Sequence, residues 1–526
     1  MNSIDGPSLR RGFVKHAAIT PSAPALIARG VTRSYGELDS TARRWAHAIL
    51  RNLEAPPERV GVFAYRSEVS YAGTLAALMA GATFVPLNPT FPAEKTASMI
   101  RAADLDAVIV DRVAAQQVSK VLSDSAPLLL TPEIDNPQFL GIESRRLDRS
   151  LLTEFVPLAD LPPLTPDTVA YLLFTSGSTG SPKGVPVTHG NAQYFIDVMS
   201  KRYQIRADDR FSQTFDQTFD LSVFDLFMAW NNGACVCSMA TLDLLAPVKF
   251  INQNGITVWF SVPSVPAQML TRKTLKPDSM PSLRWSLFCG EPLPRRSAEA
   301  WQAAAQNSIL ENLYGPTELT IACLVHRWDP LSSPPQCHHG LVPIGKPLEG
   351  LSAVVVDDQL HDVARGELGE LCVSGPQTTP GYWRDPVKTA ERYVDLPIGR
   401  NEARRFYRTG DRVFRLQSGE YAFVGRTDNQ VKVLGHRVEL GEIEAVLSQD
   451  PGVEHAIAIA WPTEQGSARG IVAFISGSEI SQESILQRAR EALPAYMVPS
   501  RIFLVDHMPL NANGKVDRPA LMGRLS

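Results

Sequence analysis

The feature that most constrains the fold is an apolar strand pattern that runs directly into a glycine-rich loop. Residues 171–175 (YLLFT) have the composition of a buried strand, and the residues that follow, SGSTGSPKG, combine glycine, serine and threonine with one lysine. Gly177, Gly180 and Gly184 permit a positive φ and close backbone approach, while Lys183 adds a positive charge. This combination suits a polyphosphate. The loop is not a Walker A loop, because a proline precedes the lysine.

Helix and strand patterns alternate before this loop. Apolar residues at helical spacing predict helices over 37–53 and 71–81, and short apolar runs predict strands over 59–65, 82–87 and 104–111. Alternation of this kind is typical of a largely parallel sheet with helices on its faces.

The pattern of predicted helices and strands changes twice after the loop. Residues 347–425 contain short strand patterns with turn signals, which predict a β-rich subdomain, and the residues after Gly425 mix helix and strand patterns. With 526 residues, the chain is also too long for one core. We therefore expect an α/β fold with a large N-terminal domain over 1–426, built of two helix-flanked sheets and a β-rich subdomain. A small mobile α+β domain over 429–526 would follow it.

Composition excludes several classes of function. The formal net charge of −4 gives no general attraction to nucleic acid or membrane, and six cysteines are too few for a disulfide framework in a chain of this length. The N-terminus shows no apolar signal region, and no uncharged apolar stretch is long enough to span a bilayer. We expect a cytoplasmic protein that binds neither nucleic acid nor membrane.

A series of motifs, taken in order, identifies a family. The loop TSGSTGSPKG is followed by YGPTE (314–318), YRTGD (407–411), GRTDNQVKVLGHRVELGEIE (425–444) and NGKVDR (513–518). Together they resemble the adenylate-forming superfamily, and more closely the amino-acid adenylation domains of nonribosomal peptide synthetases. The resemblance extends from about residue 9 to residue 522.

The resemblance implies a reaction in two steps, with ATP as substrate and Mg²⁺ as cofactor. A carboxylate attacks the α-phosphorus of ATP and expels pyrophosphate, and a thiol then displaces AMP from the acyl adenylate. Thr179, Glu318 and Lys515 are implied as catalytic residues, with Glu318 also associated with the metal. The residues implied in nucleotide binding are Thr175, Ser176, Gly177, Ser178, Thr179, Gly180, Lys183, Tyr314, Gly315, Thr317, Glu318, Asp411, Phe423, Arg426 and Lys515.

Two further positions carry specific expectations. Lys515 lies in an Asn-Gly turn, where a lysine is ordinarily a solvated surface charge, but it matches the family lysine that bridges the carboxylate and the phosphate. We expect Lys515→Ala to slow adenylate formation about 10²- to 10³-fold in a pyrophosphate-exchange assay while the protein still folds. Asp428 matches the hinge about which the small domain rotates between the two half-reactions.

The acyl pocket is implied to hold an α-amino acid by both of its charges. Asp220 takes the place of the aspartate that pairs with the substrate ammonium group, and Lys515 would meet the carboxylate. The other aligned positions are apolar or weakly polar and disfavour a charged or amide side chain. They are Leu221, Phe224, Phe260, Leu287, Cys289, Leu313, Ile321 and Ala322.

The substrate expected from this pocket is a small to medium apolar amino acid. The stretch TFDLSVFDLFMAW is similar to enzymes that load proline onto a carrier protein, and FCGE (288–291) resembles D-alanine–carrier-protein ligases. L-Proline is the first expectation, and D-alanine or another small aliphatic amino acid is the second. A carboxylate–CoA ligase is disfavoured by Asp220, and a non-catalytic scaffold by the retained site residues.

The expected acceptor is the phosphopantetheine thiol of a separate carrier protein in secondary-metabolite (antibiotic) biosynthesis. Few residues follow Arg518, which leaves no room for a fused carrier domain. We therefore expect a stand-alone enzyme that hands its product over in trans.

Overall fold

The structure is a computed structural model that describes most of the chain. The described residues are 6–122, 127–136, 144–175, 182–398, 402–428, 430–464, 467–478, 480–509 and 516–525. The expectations for Ser176, Gly177, Ser178, Thr179, Gly180 and Lys515 lie outside these residues and stay predictions.

A seven-stranded sheet contains the strand that precedes the glycine-rich loop. Its strands are parallel except for the last pair, which is antiparallel and aligns Thr175 with Lys183. In spatial order the strands are Arg146–Asp148, Leu128–Thr131, Ala107–Val110, Arg59–Phe63, Thr83–Leu87, Val169–Thr175 and Lys183–Thr188. Thr175 and Lys183 therefore flank the loop at one edge of this sheet.

A nine-stranded sheet supplies most of the remaining core. Its central strands are parallel, and antiparallel pairs close both ends. In spatial order the strands are Lys346–Pro347, Leu324–Arg327, Ile309–Tyr314, Trp285–Phe288, Val258–Ser261, Arg210–Gln213, Cys235–Ser238, Pro24–Ala28 and Val31–Ser34. One continuous apolar cluster includes residues of both large sheets, such as Val60 and Tyr171 of the first and Phe260 and Leu287 of the second.

Helices cover the two large sheets, as the alternation predicts. The described helices are Arg11–Ile19, Tyr35–Asn52, Glu68–Met79, Ala93–Ala103, Val118–Val121, Arg149–Glu154, His189–Tyr203, Leu221–Asn231, Pro247–Asn254, Ser264–Thr271, Arg295–Ala304, Pro386–Arg392, Leu440–Leu447, Gln482–Ala492 and Arg518–Met522. Tyr35–Asn52 begins with a capping box, in which the Ser34 hydroxyl accepts from Glu37 N and the Glu37 carboxylate accepts from Ser34 N. The helix Leu221–Asn231 is buried on nearly all sides, which explains its apolar sequence.

Smaller sheets follow the two large ones. An antiparallel five-stranded sheet confirms the predicted β-rich subdomain; its strands are Ser352–Val356, Leu368–Ser374, Tyr393–Ile398, Glu402–Arg415 and Tyr421–Arg426. Beyond Asp428 lie a four-stranded and a three-stranded sheet. Their strands are Gln430–Val433, His436–Glu439, Thr463–Glu464 and Ser467–Ala468, and Val453–Ala460, Ile471–Gly477 and Arg501–Leu504.

The α/β fold class is confirmed, with a large N-terminal part and a small C-terminal part. Among the described residues, every strand ladder joins strands on the same side of Asp428. This is compatible with the expected boundary, which stays a prediction. The helix expected over 37–53 is Tyr35–Asn52, and the strand expected over 104–111 is Ala107–Val110. In the described part of the chain, no helix is long and apolar enough to cross a membrane.

Candidate active site

Two neighbouring cavities lie where the C-terminal part meets the large sheets. One, of about 80 Å³, is lined by Tyr314, Asp411 and Arg426 among others. The second, of about 70 Å³, is lined by Thr175 and Asp220 among others. The residues that line both cavities are Gly290, Gly315, Pro316, Lys432 and Arg437. The two spaces are therefore adjacent and separated by a shared wall.

A network of polar side chains forms one wall of the first cavity. The Tyr314 hydroxyl donates to one carboxylate oxygen of Asp411, and the Arg426 guanidinium donates to the other. Arg426 is held in turn by Asp428, at 2.7 Å from Nε to Oδ1 and 2.9 Å from Nη2 to Oδ2. Burial alone would lower the pKa of Arg426, but the charge of Asp411 and the Asp428 hydrogen bonds raise it. Asp411 thus presents an oriented carboxylate at the edge of the cavity.

Glu318 lies at the centre of a second charged cluster. It is completely buried in the short 3₁₀ turn Thr317–Leu319, and its Oε1 accepts from the Tyr382 hydroxyl at 2.8 Å. The Lys183 ammonium lies 3.4 Å from Oε1, and Arg437 Nη1 donates to Oε2 at 3.1 Å. Burial would raise the pKa of Glu318, but the charges of Arg437 and Lys183 hold it well below its usual range. Burial lowers the pKa of Lys183 to about 8, against the opposing effect of Glu318.

This arrangement of Glu318 does not fit the expected metal ligand. Both carboxylate oxygens face cations or a hydroxyl donor, so a metal ion could bind there only after Arg437 or Lys183 had moved away. Among the residues that the structure describes, no group of three or more His, Cys, Asp and Glu side chains could hold a metal ion. Mg²⁺ therefore stays a prediction from the sequence.

Asp220 is the charged group of the second cavity. It precedes the buried helix Leu221–Asn231 and is only 7% exposed, and its Oδ2 accepts from Ile321 N at 3.3 Å. Burial raises the pKa of Asp220 to about 6, although Thr317 and Lys432 oppose the shift. Asp220 forms no ion pair with another residue that the structure describes, and a poorly solvated carboxylate of this kind favours a cationic ligand.

A strained loop supports Asp220 from the opposite side. Thr320 and Ile321 both have positive φ angles, 57° and 73°, which are unfavourable for a β-branched residue. The buried Gln377 side chain holds this loop by donating to Ala322 O at 2.7 Å, Leu319 O at 3.1 Å and Thr320 O at 3.3 Å. The amide of Gln377 thus positions the Ile321 N–H that Asp220 accepts.

The apolar positions expected to form the side-chain pocket lie together in one buried cluster. Each of them is at most 6% exposed; they are Leu221, Phe224, Phe260, Leu287, Cys289, Leu313, Ile321 and Ala322. The Phe224 and Phe260 rings pack edge to face with centroids 4.7 Å apart, and Phe260 pairs in register with Leu287 on the neighbouring strand. Burial raises the pKa of the Cys289 thiol to about 12, which agrees with its interpretation as a pocket wall and not a nucleophile.

The structure brings Asp220 and most of the described nucleotide-binding candidates to these two cavities, whereas of the eight apolar positions Leu221 and Leu313 alone are lining residues of either one. Tyr314, Gly315, Asp411, Phe423 and Arg426 line the first. Thr175, Asp220, Leu221, Gly315 and Thr317 line the second, next to Glu318 and Lys183.

The sequence interpretation assigned no role to three residues that the structure places here, namely Arg437, Lys432 and Tyr382. Arg437 and Lys432 belong to the quoted motif VKVLGHRVELGEIE, so their cationic side chains were the available signal. Tyr382 lies outside the quoted motifs, so there was no reason in the sequence to select it.

Comparison with known proteins establishes the family. The model of the AMP-binding enzyme family matches residues 13–383, and that of the AMP-binding enzyme C-terminal domain matches residues 442–515. The chain belongs to the AMP-binding enzymes, and its relatives include nonribosomal peptide synthetase adenylation domains, as the motifs indicate.

The chain spans a small part of some relatives and nearly the full length of others. It is 33% identical over 523 residues to one component of the linear gramicidin synthase of Brevibacillus parabrevis, covering 98% of this chain but only 6% of that protein. It is 35% identical over 508 residues to L-proline–[L-prolyl-carrier protein] ligase of Streptomyces coelicolor, covering 92% of this chain and 90% of that one. The Vibrio cholerae adenylation domain AlmE, solved with glycyl-adenosine-5'-phosphate, is 31% identical with a TM-score of 0.86, covering 99% and 98% of the two chains.

Proposed function

We propose that this protein activates a small apolar amino acid with ATP and transfers it to a carrier-protein thiol. The observation that supports this most strongly concerns Asp220, a buried carboxylate that forms no ion pair with any described residue. It lines a cavity adjoining the one lined by Tyr314 and Asp411. A ligand that spans both cavities would carry a cation at one end and a ribose at the other. An aminoacyl adenylate has this composition.

The residues present can perform the first half-reaction as follows. Asp220 pairs with the α-ammonium group and turns the amino-acid carboxylate towards the shared wall of the cavities. The carboxylate oxygens of Asp411 accept from the ribose hydroxyls, in place of the Tyr314 and Arg426 donors that they hold here. Lys183 would exchange Glu318 for the phosphates, and fixed positive charge at these oxygens stabilises the transition state. The amino-acid carboxylate then attacks the α-phosphorus, and pyrophosphate leaves.

The proposed acceptor is the phosphopantetheine thiol of a separate carrier protein. A larger cavity of about 430 Å³ reaches Leu221 and Gly435, which also line the Asp220 cavity. A flexible thiol arm could reach the adenylate through this space. The relative from Streptomyces coelicolor, which is named for a carrier protein, supports this acceptor.

For the amino acid we propose L-proline, on the strength of that same relative. A smaller amino acid, D-alanine or another small aliphatic one, is the alternative. Two observations favour the alternative: all the pocket positions are almost completely buried, and AlmE was solved with a glycyl adenylate. A single methylene changes discrimination by only about 1–3 kcal/mol, so the amino acid must be decided by assay.

Amino-acid-dependent ATP–pyrophosphate exchange tests the proposal. Purified protein would be assayed with L-proline, D-alanine, glycine, L-alanine, L-valine and L-leucine, each alone, with Asp220→Asn as the matched control. We expect exchange that is highest with L-proline and that falls about 10- to 100-fold in the control. Highest exchange with a smaller residue would replace the substrate and keep the reaction.

Two further outcomes would contradict the proposal. Exchange that depended on an acid without an amino group, and that survived Asp220→Asn, would favour a carboxylate–CoA ligase. A lack of exchange with every acid would favour the non-catalytic scaffold.

A further inference from the structure

Lys183 lies over the face of an aromatic ring close behind the Asp220 cavity. Its ammonium is 4.3 Å from the centroid of the Tyr382 ring and 3.4 Å from Glu318 Oε1, and its side chain is only 9% exposed. Neither Lys183 nor Tyr382 is among the described residues that line the two cavities. Thr175, the register partner of Lys183, does line the second one. The lysine and the ring therefore lie one layer behind the cavity wall.

The Tyr382 side chain makes two different contacts in this cluster. The face of its ring attracts the Lys183 ammonium, because the π electrons of an aromatic ring make its face negative. Its hydroxyl donates to Glu318 Oε1 at 2.8 Å, the same oxygen that the Lys183 ammonium faces. A phenylalanine at this position would keep the first contact and lose the second.

The backbone holds the Tyr382 ring in register with Lys183. Trp383 N donates to Gly184 O at 2.9 Å, so the residue after the tyrosine is bonded to the residue after the lysine. A Cβ atom at position 184 would lie 2.8 Å from Trp383 Cβ, and a glycine there allows the two segments to approach this closely. Tyr382 N also donates to Thr389 Oγ1 at 2.9 Å. The ring is thus a fixed support, and the lysine side chain is the part that can turn.

On the basis of the proposed function, in which Lys183 exchanges Glu318 for the phosphates of ATP, we propose that Tyr382 is a positioning residue for Lys183. A lysine side chain has several rotatable bonds, and the entropy lost when it is fixed opposes its contact with a ligand. The ring holds the ammonium before ATP binds, so most of this entropy is already lost in the free protein. Lys183 then turns from Glu318 to a phosphate oxygen while its ammonium stays over the ring.

Variants of Tyr382 separate the role of the ring from that of the hydroxyl. ATP, without amino acid, would be titrated calorimetrically into the wild type, Tyr382→Phe and Tyr382→Leu. We expect Tyr382→Leu to weaken ATP binding about 5- to 30-fold, because the contact between ring and ammonium is lost. Tyr382→Phe keeps this contact and should weaken binding at most about threefold.

Tyr393→Leu is the matched control for lost packing. Tyr393 and Tyr382 are both 6% exposed, and their rings pack edge to face with centroids 5.9 Å apart. Among the described residues, the Lys183 ammonium lies over the Tyr382 ring and not over that of Tyr393. We expect Tyr393→Leu to bind ATP within about twofold of the wild type. Thermal unfolding would verify that each variant is folded before it is titrated.

Pyrophosphate exchange adds a readout that a general loss of packing would not produce. Tyr382→Leu should raise KM for ATP by a factor similar to the loss of ATP affinity, with KM for the amino acid changed less than about twofold, because Asp220 is untouched. Pentafluorophenylalanine at position 382 has nearly the shape of phenylalanine but an electron-poor face, so it should behave like leucine. This replacement keeps the test decisive if Tyr382→Leu does not fold.

The outcomes also distinguish a failure of this inference from a failure of the proposed function. If the wild type binds ATP but exchanges pyrophosphate with no amino acid, the proposed function is wrong, and the ATP titrations still decide the role of Tyr382. If the wild type binds no ATP, both are wrong. Unchanged or tighter ATP binding by Tyr382→Leu would overturn the inference alone. Equal weakening in Tyr382→Phe, or in Tyr393→Leu, would do the same, because the effect would then belong to the hydroxyl or to packing.

Discussion

Single buried charges define the chemistry of the candidate site. Asp220, Lys183 and Glu318 are all enclosed, yet the pKa shifts are upward for Asp220 and downward for Lys183 and Glu318. Burial sets the direction of the pKa shift for Asp220 and Lys183, whereas for Glu318 the charges of Arg437 and Lys183 together outweigh the effect of burial. Asp220 is therefore suited to a cationic ligand and Lys183 to an anionic one, whereas Glu318 is already paired with Lys183 and Arg437.

The raised pKa of Asp220 predicts a pH dependence. Protonated Asp220 cannot pair with an ammonium group, so kcat/KM for the amino acid should fall about tenfold per pH unit below about pH 6. Asp220→Asn should lower kcat/KM at neutral pH about 10- to 100-fold and remove this acidic limb. Pyrophosphate exchange measured between pH 5 and 8 checks both effects, and an unchanged acidic limb in the variant would assign it to another group.

Gln377 offers a prediction about positioning. Gln377→Leu keeps the volume but removes the donors to three carbonyl groups of the strained loop around Ile321. We expect unfolding to become easier by about 2 kcal/mol and KM for the amino acid to rise, with KM for ATP nearly unchanged. Thermal unfolding and the two KM values check this, and an equal rise in both KM values would contradict a local role.

At the scale of elements, the hairpin of Gln430–Val433 and His436–Glu439 completes the site from the C-terminal side. It supplies Arg437 to Glu318, and Gly435 N donates to Glu291 at 2.5 Å. Arg437 of the hairpin thus binds the carboxylate of Glu318, which the sequence predicted to be associated with a metal ion. While Arg437 and Lys183 hold the two oxygens of Glu318, a metal ion cannot bind to them.

Removal of Arg437 should release the hairpin. Arg437→Gln leaves Glu318 buried, with Lys183 as its remaining charged partner among the described residues, so the docked hairpin loses a buried charge-assisted bond. We expect the amides of residues 430–439 to exchange with solvent about 10- to 100-fold faster, with Arg437→Lys closer to the wild type. Hydrogen exchange read by mass spectrometry measures this, and unchanged exchange would show that Glu318 does not hold the hairpin.

At the scale of the whole molecule, contacts across Asp428 hold the C-terminal part against the large sheets. Lys95 on the helix Ala93–Ala103 binds Glu442, and the Phe219 ring packs against His436 with centroids 4.8 Å apart. Asp428 itself holds Arg426, which in turn binds Asp411. A substitution at the predicted hinge therefore also acts on Asp411, which we propose binds the nucleotide.

Two variants distinguish a hinge function of Asp428 from its ionic contact with Arg426. Asp428→Ala and Asp428→Pro both remove the carboxylate from Arg426, but only proline restricts the backbone. If Asp428 is a hinge, both should weaken AMP binding to the same extent, and only the proline variant should also slow transfer to a thiol by at least tenfold. Equal transfer rates in the two variants would argue against a hinge at this residue.

The sequence alone predicted the features that depend on local chemistry. Helices and strands such as Tyr35–Asn52 and Ala107–Val110 follow from the spacing of apolar residues, because the periods of these elements are set by the backbone. The ordered motifs identified the family by their resemblance to adenylation domains, because several motifs in the same order are far more specific than any one of them. The expectations for the loop around Thr179 and for Lys515 lie outside the described residues.

The tertiary structure decided which side chains satisfy one another. Arg437 is far from Glu318 in the chain, and Gln377 is far from the loop that it holds, so no local pattern could pair them. The expected metal ligand Glu318 is instead enclosed by Lys183, Arg437 and Tyr382. These pairings arise because a buried charge must find a partner among whatever groups the packing of distant elements places beside it.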